Sequence, residues 1–147
     1  VASRHFRAGI VAVVRRSDGA ICAFERADAP GSWQLPQGGI EPGEEPTDTA
    51  WRELKEETGL TASDVELVAE YGEWVAYVWP ERVAAGRKGM GQVQRWFTFR
   101  LVDDGVEPTP DGSEFTAWRW VDEAWLIDNV VAFRRPAYER VLGAASS

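Results

Sequence analysis

The sequence holds one cysteine, one histidine and one methionine in 147 residues, and each scarcity removes a class of chemistry. Cys22 alone builds neither a disulfide framework nor a Cys-rich zinc site. His5 alone leaves no His-centred triad and no His-rich metal centre. Basic residues are outnumbered, 16 Lys and Arg against 24 Asp and Glu, for a net charge of −8. That balance disfavours non-specific attraction to nucleic acid or to anionic membranes, so neither membrane nor specific DNA is an expected partner. No apolar run approaches the roughly 20 residues that span a bilayer, and no charged-then-apolar leader is recognisable. The expectation is a soluble, cytoplasmic protein.

Apolar material is plentiful. Hydrophobic residues make up 44% of the chain and aromatics 12%, with eight tryptophans. At this length they suffice for one core, and residues 1–147 read as a single domain. The β-branched run Phe6 to Val14 predicts a strand, Asp18-Gly19 a hairpin turn, and Ala20 to Phe24 the returning strand. Cys22 lies inside that return and reads as a small core residue. From Ala29 to Gly43 the prolines and glycines forbid a helix, so a loop is expected, interrupted by Trp33-Gln34-Leu35. A helix is predicted from Pro46 to a Gly59 cap. Strands follow over Val65–Tyr71, Trp74–Val78, Gln92–Val102 and Phe115–Val121, with a mobile Gly-rich loop from Ala84 to Gly91. Asp122 caps a short helix through Leu126, and Pro136 opens a last one to Leu142. Strands with isolated helices point to an α/β protein in which helices cover a mixed sheet.

The helix after Pro46 carries the chemistry. Glu41, Glu44, Glu45, Asp48, Glu53, Glu56 and Glu57 crowd one stretch, opposed only by Arg52 and Lys55. Glu53, Glu56 and Glu57 fall at i, i+3 and i+4, on one helical face, where like charges repel. Two of them also approach the helix C-terminus, where the dipole disfavours anions. An oxygen-seeking divalent cation reverses both penalties, and carboxylates without His or Cys are ligands for Mg2+ or Mn2+. The competing reading is a solvated acidic face.

The order Gly38, five residues, Glu44, seven residues, Arg52-Glu53-Leu54, one residue, Glu56-Glu57, one residue, Gly59-Leu60 resembles the whole Nudix box of the Nudix hydrolases. The resemblance implies the Nudix α/β/α sandwich with a mixed β-sheet, and a pyrophosphohydrolase that cleaves a nucleoside diphosphate linked to another group. It implies metal binding by Glu53, Glu56 and Glu57 with help from the Gly38 carbonyl, Mg2+ being expected and Mn2+ a substitute. Arg52 would orient a glutamate, Glu44 would brace the loop–helix junction, and Gly59 would close the box.

Outside the box, Ser32-Trp33-Gln34-Leu35-Pro36-Gln37 resembles the diadenosine tetraphosphate hydrolases and the bacterial RNA 5′-pyrophosphohydrolases. So do Tyr77, Gln94-Arg95-Trp96-Phe97, Glu114-Phe115 and Val131-Ala132-Phe133-Arg134-Arg135-Pro136-Ala137-Tyr138. By that resemblance Glu114 would be a further metal ligand or the general base. Tyr77 would stack on or hydrogen-bond the nucleotide, although a strand tyrosine also reads as core. Phe133 and Arg134 would clamp a base and a phosphate, unless Phe133 merely docks the last helix. Gln94 and Arg95 would reach phosphate oxygens, Arg95 reading equally as a surface charge, and Arg26 is a further phosphate candidate. The Tyr-Arg-Pro opening of the RNA-processing relatives is absent, Arg7 being the nearest substitute, and the loop from Pro80 to Gly91 is not strongly basic. Both departures favour asymmetric cleavage of diadenosine tetraphosphate to ATP and AMP, with 5′-triphosphate RNA as the alternative. A non-catalytic nucleotide sensor is a third reading, disfavoured because every box glutamate is present. Monomer and dimer are both left open.

Overall fold

Alternation within the first strand divides the molecule into its layers. In the computed structural model, which describes residues 5–87 and 89–143, β1 (Phe6–Arg15) sends Ile10, Ala12 and Val14 into one core and Val11 and Val13 into another. A period of two puts successive side chains on opposite faces, so a strand apolar at both parities must be covered on both sides. Two hydrophobic clusters, one on each face of a single sheet, are the result.

The chain reverses after β1 through Asp18-Gly19. Gly19 takes φ +90°, a conformation glycine adopts without strain, and the Arg16 amide donates to the Ala20 carbonyl at 2.9 Å. β2 (Ile21–Arg26) returns antiparallel. β3 (Trp33–Gln34) pairs with β2, and β4 (Gln37–Gly39) pairs with β1, so the segment read as a loop contributes two short strands instead. Their ladders form through backbone groups, which no periodicity in so short a stretch reveals.

The helix α1 (Pro46–Thr58) has Pro46 at its start and ends at Gly59, whose φ is +73° and whose amide donates to the Lys55 carbonyl at 2.9 Å. Its Ala50 and Leu54 pack against Ile10, Ala12, Phe97 and Phe99. A leucine as completely buried as Leu54 contributes about 1.5–3 kcal/mol by leaving water. β5 (Val65–Glu70), β6 (Val75–Val78) and β7 (Gly91–Leu101) follow, β5 and β6 both pairing antiparallel with β7. Between β6 and β7 a short helix, α2 (Glu81–Ala84), occupies ground expected to be irregular. Lys88, in the expected Ala84–Gly91 loop, lies outside the described residues.

β7 runs parallel to β1 from Phe6↔Gly91 to Arg15↔Arg100, and that pairing makes the sheet mixed. β8 (Phe115–Val121) closes the other side against β2. α3 (Glu123–Asn129) begins at Asp122, which accepts from the Trp125 amide at 2.8 Å, and runs three residues past the expected end. A 3-10 turn (Ala132–Arg134), α4 (Arg135–Tyr138) and a π-turn (Glu139–Gly143) replace the single last helix expected from Pro136 to Leu142. Leu126, Tyr138 and Leu142 cover the face opposite α1, completing an α/β/α arrangement. Cys22 is buried in the α1-side core, and burial holds its thiol far above the ordinary value, so it stays protonated. Among the described residues no helix is long and apolar enough to cross a membrane.

Candidate active site

The site assembles where α1 faces the β3–β4 segment. Arg52 is its organiser. The guanidinium reaches Glu44 with both Nε (2.9 Å) and Nη2 (3.0 Å), Glu53 with Nη1 (2.7 Å), and the Gly39 carbonyl with Nη2 (3.0 Å). Only a planar fork of donors spans such partners at once. Glu44 also accepts from the Thr49 hydroxyl at 2.7 Å and the Glu41 amide at 3.1 Å. The hydrogen bonds from Arg52 and Thr49 pull its carboxyl down to about 2, so it is a fixed anion tying the loop to the helix.

Glu53 turns toward Gly38 so closely that a Cβ at that position would collide with its carboxylate. The Gly38 carbonyl oxygen faces β1, 2.7 Å from where a Cβ on Gly9 would stand. Two glycines therefore let β1, β4 and the α1 carboxylate stack without intervening side chains.

Glu57, one turn on, is buried, accepts from the Gln37 amide at 3.3 Å and shares a hydrogen bond with Glu53. Burial, and then the charges of Glu53 and Glu114, push Glu57 up to about 9. Burial also raises Glu53, against the pull of Arg52. Both shifts favour the protonated form of the pair. Glu56 is exposed, with its carboxylate 3.4 Å from Arg52. Glu114 is exposed in the loop before β8.

Among the described residues no three acidic, His or Cys side chains already enclose a cation-sized space. The donor chemistry nonetheless fits a hard divalent ion: carboxylates on one helix face, the close Glu53–Glu57 pair, and exposed Glu56 and Glu114.

Beside the carboxylates lies a polar cluster. Tyr77 donates to the Gln92 side-chain oxygen at 3.0 Å, and Gln94 donates to the same oxygen at 2.8 Å and to Gln37 at 3.4 Å. Arg134 is 3% exposed and donates to the Gln34 side-chain oxygen (2.7 Å) and the Tyr77 hydroxyl (3.3 Å). Its guanidinium stands 5.1 Å from the Phe133 ring centre, and the Phe133 and Tyr77 rings are 5.8 Å apart. Among the described residues no carboxylate forms an ion pair with Arg134; its hydrogen-bond partners are neutral, and the Asp28 carboxylate interacts with it at longer range. Tyr77, Gln94, Phe133 and Arg134 are thus brought together next to Glu57. Two other candidates are engaged by carboxylates instead. Arg95 forms an ion pair with Glu70 and lies over Trp74, and Arg26 is engaged by Asp28 through two hydrogen bonds of 2.9 and 2.7 Å. Gln34, Gln37 and Gln92 were missed as site residues. For Gln34 and Gln92 the signal was a polar residue beside apolar strand positions, which usually marks a satisfied or functional amide; Gln37, between Pro36 and Gly38, carried none.

A proton retained by Glu57 makes the stability of the metal-free protein depend on pH. The native state keeps that proton up to about pH 9, whereas the unfolded chain releases it near 4.5. Between those values the native state binds more protons, so stability falls as pH rises. Melting temperatures measured in chelator from pH 5 to 9 should decline more steeply in the wild type than in Glu57→Gln; equal slopes would refute the buried proton.

The chain matches the NUDIX domain family model over residues 5–141. It is 43% identical over 140 residues to an RNA pyrophosphohydrolase of Cereibacter sphaeroides, covering 91% of this chain and 85% of that one. Among solved structures, the E. coli dihydroneopterin triphosphate pyrophosphohydrolase superposes with a TM-score of 0.75 at 21% identity, covering 95% of this chain and 98% of that one. A C. elegans Ap4A hydrolase superposes with a TM-score of 0.72 at 19% identity, covering 95% and 97%.

Proposed function

Since the chain belongs to the NUDIX family, we propose that it is a Mg2+-dependent pyrophosphohydrolase acting on the 5′-phosphate chain of a nucleotide, and that the Glu53–Glu57 cluster is its reaction centre. The observation that carries this reading is the pairing of the box carboxylates Glu53 and Glu57 on one face of α1, joined through Gln37 and Gln94 to a polar cluster that holds the nearly buried Arg134. Clustered carboxylates suit a cation and a guanidinium suits an anion, and a metal polyphosphate supplies both.

Glu53, Glu56, Glu57 and Glu114, with the Gly38 carbonyl, would hold the divalent ions, Mn2+ substituting for Mg2+. Such ions neutralise phosphate charge and acidify water, without which repulsion keeps nucleophiles from phosphorus. Arg52 keeps Glu53 in place by its 2.7 Å bond. Arg134 receives a phosphate oxygen, Phe133 and Tyr77 flank the base, and Gln94 donates to the phosphate chain. Glu57 or Glu114 accepts the proton of the attacking water. Replacing Arg134 by Met, which keeps the bulk and deletes the charge, should raise KM about tenfold or more with a smaller change in kcat. Steady-state kinetics check this, and an unchanged KM would remove Arg134 from the substrate.

The preferred substrate is RNA, read as its 5′-triphosphate end cleaved to 5′-monophosphate RNA and pyrophosphate, because a relative 43% identical over 140 residues is named an RNA pyrophosphohydrolase. This reverses the order of preference drawn from the sequence. Asymmetric cleavage of diadenosine tetraphosphate is the second reading, favoured by the net charge of −8, which suits a compact substrate better than a long polyanion. Comparing kcat/KM for a short 5′-triphosphate RNA and for diadenosine tetraphosphate decides between them, a preference above about tenfold (roughly 1.4 kcal/mol) either way being conclusive. The chain is read as one catalytic domain working in the cytoplasm.

A further inference from the structure

Between β3 and β4 the chain leaves one neighbour and joins another. Gln34 still pairs with Phe24 of β2, whereas Gln37 pairs with Val11 of β1. The crossing residues, Leu35 and Pro36, belong to neither strand. The Pro36 carbonyl accepts from the Ala12 amide at 2.9 Å, and proline has no amide to place. Leu35 is completely buried, so its N–H has no water to turn to. Its partner is the hydroxyl of Tyr138, 2.9 Å away, from a residue 103 positions on in sequence.

Tyr138 is well placed for this. It is 1% exposed, and its ring stands edge-on to Trp96 with centres 5.1 Å apart. Arg134 lies four residues earlier and grips the preceding residue of the crossing through the Gln34 side chain. Both ends of Gln34–Gln37 reach the reaction centre. Gln34 holds Arg134, while Gln37 gives its amide to Glu57 and its side chain to Gln94. Only Pro36, with its fixed φ, separates Leu35 from Gln37.

The geometry points to Tyr138 as a positioning residue for hydrolysis: its hydroxyl pins the Leu35 amide and thereby fixes where the Gln37 amide meets Glu57. The C-terminal helix, remote in sequence from the acidic box, is thereby part of what aims Glu57. This assignment rests on the hydrolase reading for its kinetic consequence, but not for the clamp itself.

Tyr138→Phe removes one oxygen and keeps the ring. Because sub-ångström misplacement of reacting groups is costly, kcat should fall about tenfold while KM stays within about threefold, since Arg134 retains its bond to Tyr77. Val141→Ala is the control: Val141 is buried on the same segment, and its side chain has no polar atom to offer the Leu35 amide. It should lower the melting temperature with little change in kcat. A Tyr138→Phe enzyme with wild-type kcat, or one no worse than Val141→Ala, overturns the proposal. Amide hydrogen exchange supplies the arm that needs neither substrate nor a well-folded variant. In the wild type the Leu35 amide, though outside any sheet ladder, should exchange about a hundredfold or more slowly than an open-loop amide. Fast exchange at Leu35 overturns the clamp whatever the kinetics. A wild type that turns nothing over while Leu35 stays protected would defeat the hydrolase reading and the kinetic role together, leaving the clamp as a structural contact.

Discussion

Glu57→Gln is expected to lower kcat about a thousandfold, roughly 4 kcal/mol of transition-state stabilisation, without loss of the fold. The substitution keeps the shape of a buried side chain and can still receive the Gln37 amide on its oxygen. It deletes the charge a cation would need and the basicity a proton acceptor would need. Its effect on stability has the opposite sign. Near pH 8 the wild-type side chain is held against its preference, surrounded by Glu53 and Glu114 with little solvent, and a neutral amide escapes that strain. The variant should therefore melt at or above the wild-type temperature when both are free of metal. Activity lost together with gained stability would separate a reaction centre from a structural carboxylate, which would lose stability when altered. Near-wild-type turnover would remove Glu57 from the mechanism.

Arg52→Lys should cost about a hundredfold in kcat although the charge is conserved. The guanidinium joins the loop through Glu44, the strand through the Gly39 carbonyl and the helix through Glu53, three directions from one plane. A lysine ammonium is a point with flexible reach and satisfies one of these contacts well. Glu53 would then be released from its place against Gly38, and Glu44 would keep only its Thr49 and Glu41 partners. The melting temperature should drop as well, in contrast with Glu57→Gln. Kinetics and calorimetry on the two variants side by side check the contrast; an Arg52→Lys enzyme with unchanged kcat would show that the fork is dispensable.

The parts of this molecule written in local sequence were legible. The β-branched run Phe6 to Val14 foretold a strand, Asp18-Gly19 its turn, and Pro46 and Gly59 the ends of the acidic helix, because each depends on a residue's own conformational preference. The shared face of Glu53, Glu56 and Glu57 was legible from the helix repeat, whereas Gly38, Glu44 and Arg52 came from the resemblance to the Nudix box. What escaped was long-range. The parallel pairing of β1 with β7 joins residues some 85 positions apart and leaves no local trace. β3 and β4 are two and three residues long, too short for any period, and exist because β2 and β1 offer open edges. Arg95 illustrates the limit for site residues. Next to Gln94 in sequence, it points to the other face of β7, where Glu70 and Trp74 engage it. Tyr138 belongs to the Val131–Tyr138 segment that carries the resemblance, yet its partner Leu35 lies 103 residues earlier and only the fold brings them together.

The most direct test of the metal-dependent phosphoanhydride chemistry placed at Glu53 and Glu57 is product analysis of the wild-type protein with 5′-triphosphate RNA and with diadenosine tetraphosphate, in Mg2+ and again in chelator. The account predicts pyrophosphate and 5′-monophosphate RNA from the first, or equal ATP and AMP from the second, with either reaction abolished by chelation. Intact substrates in both Mg2+ and Mn2+, or turnover that survives chelation, would contradict it.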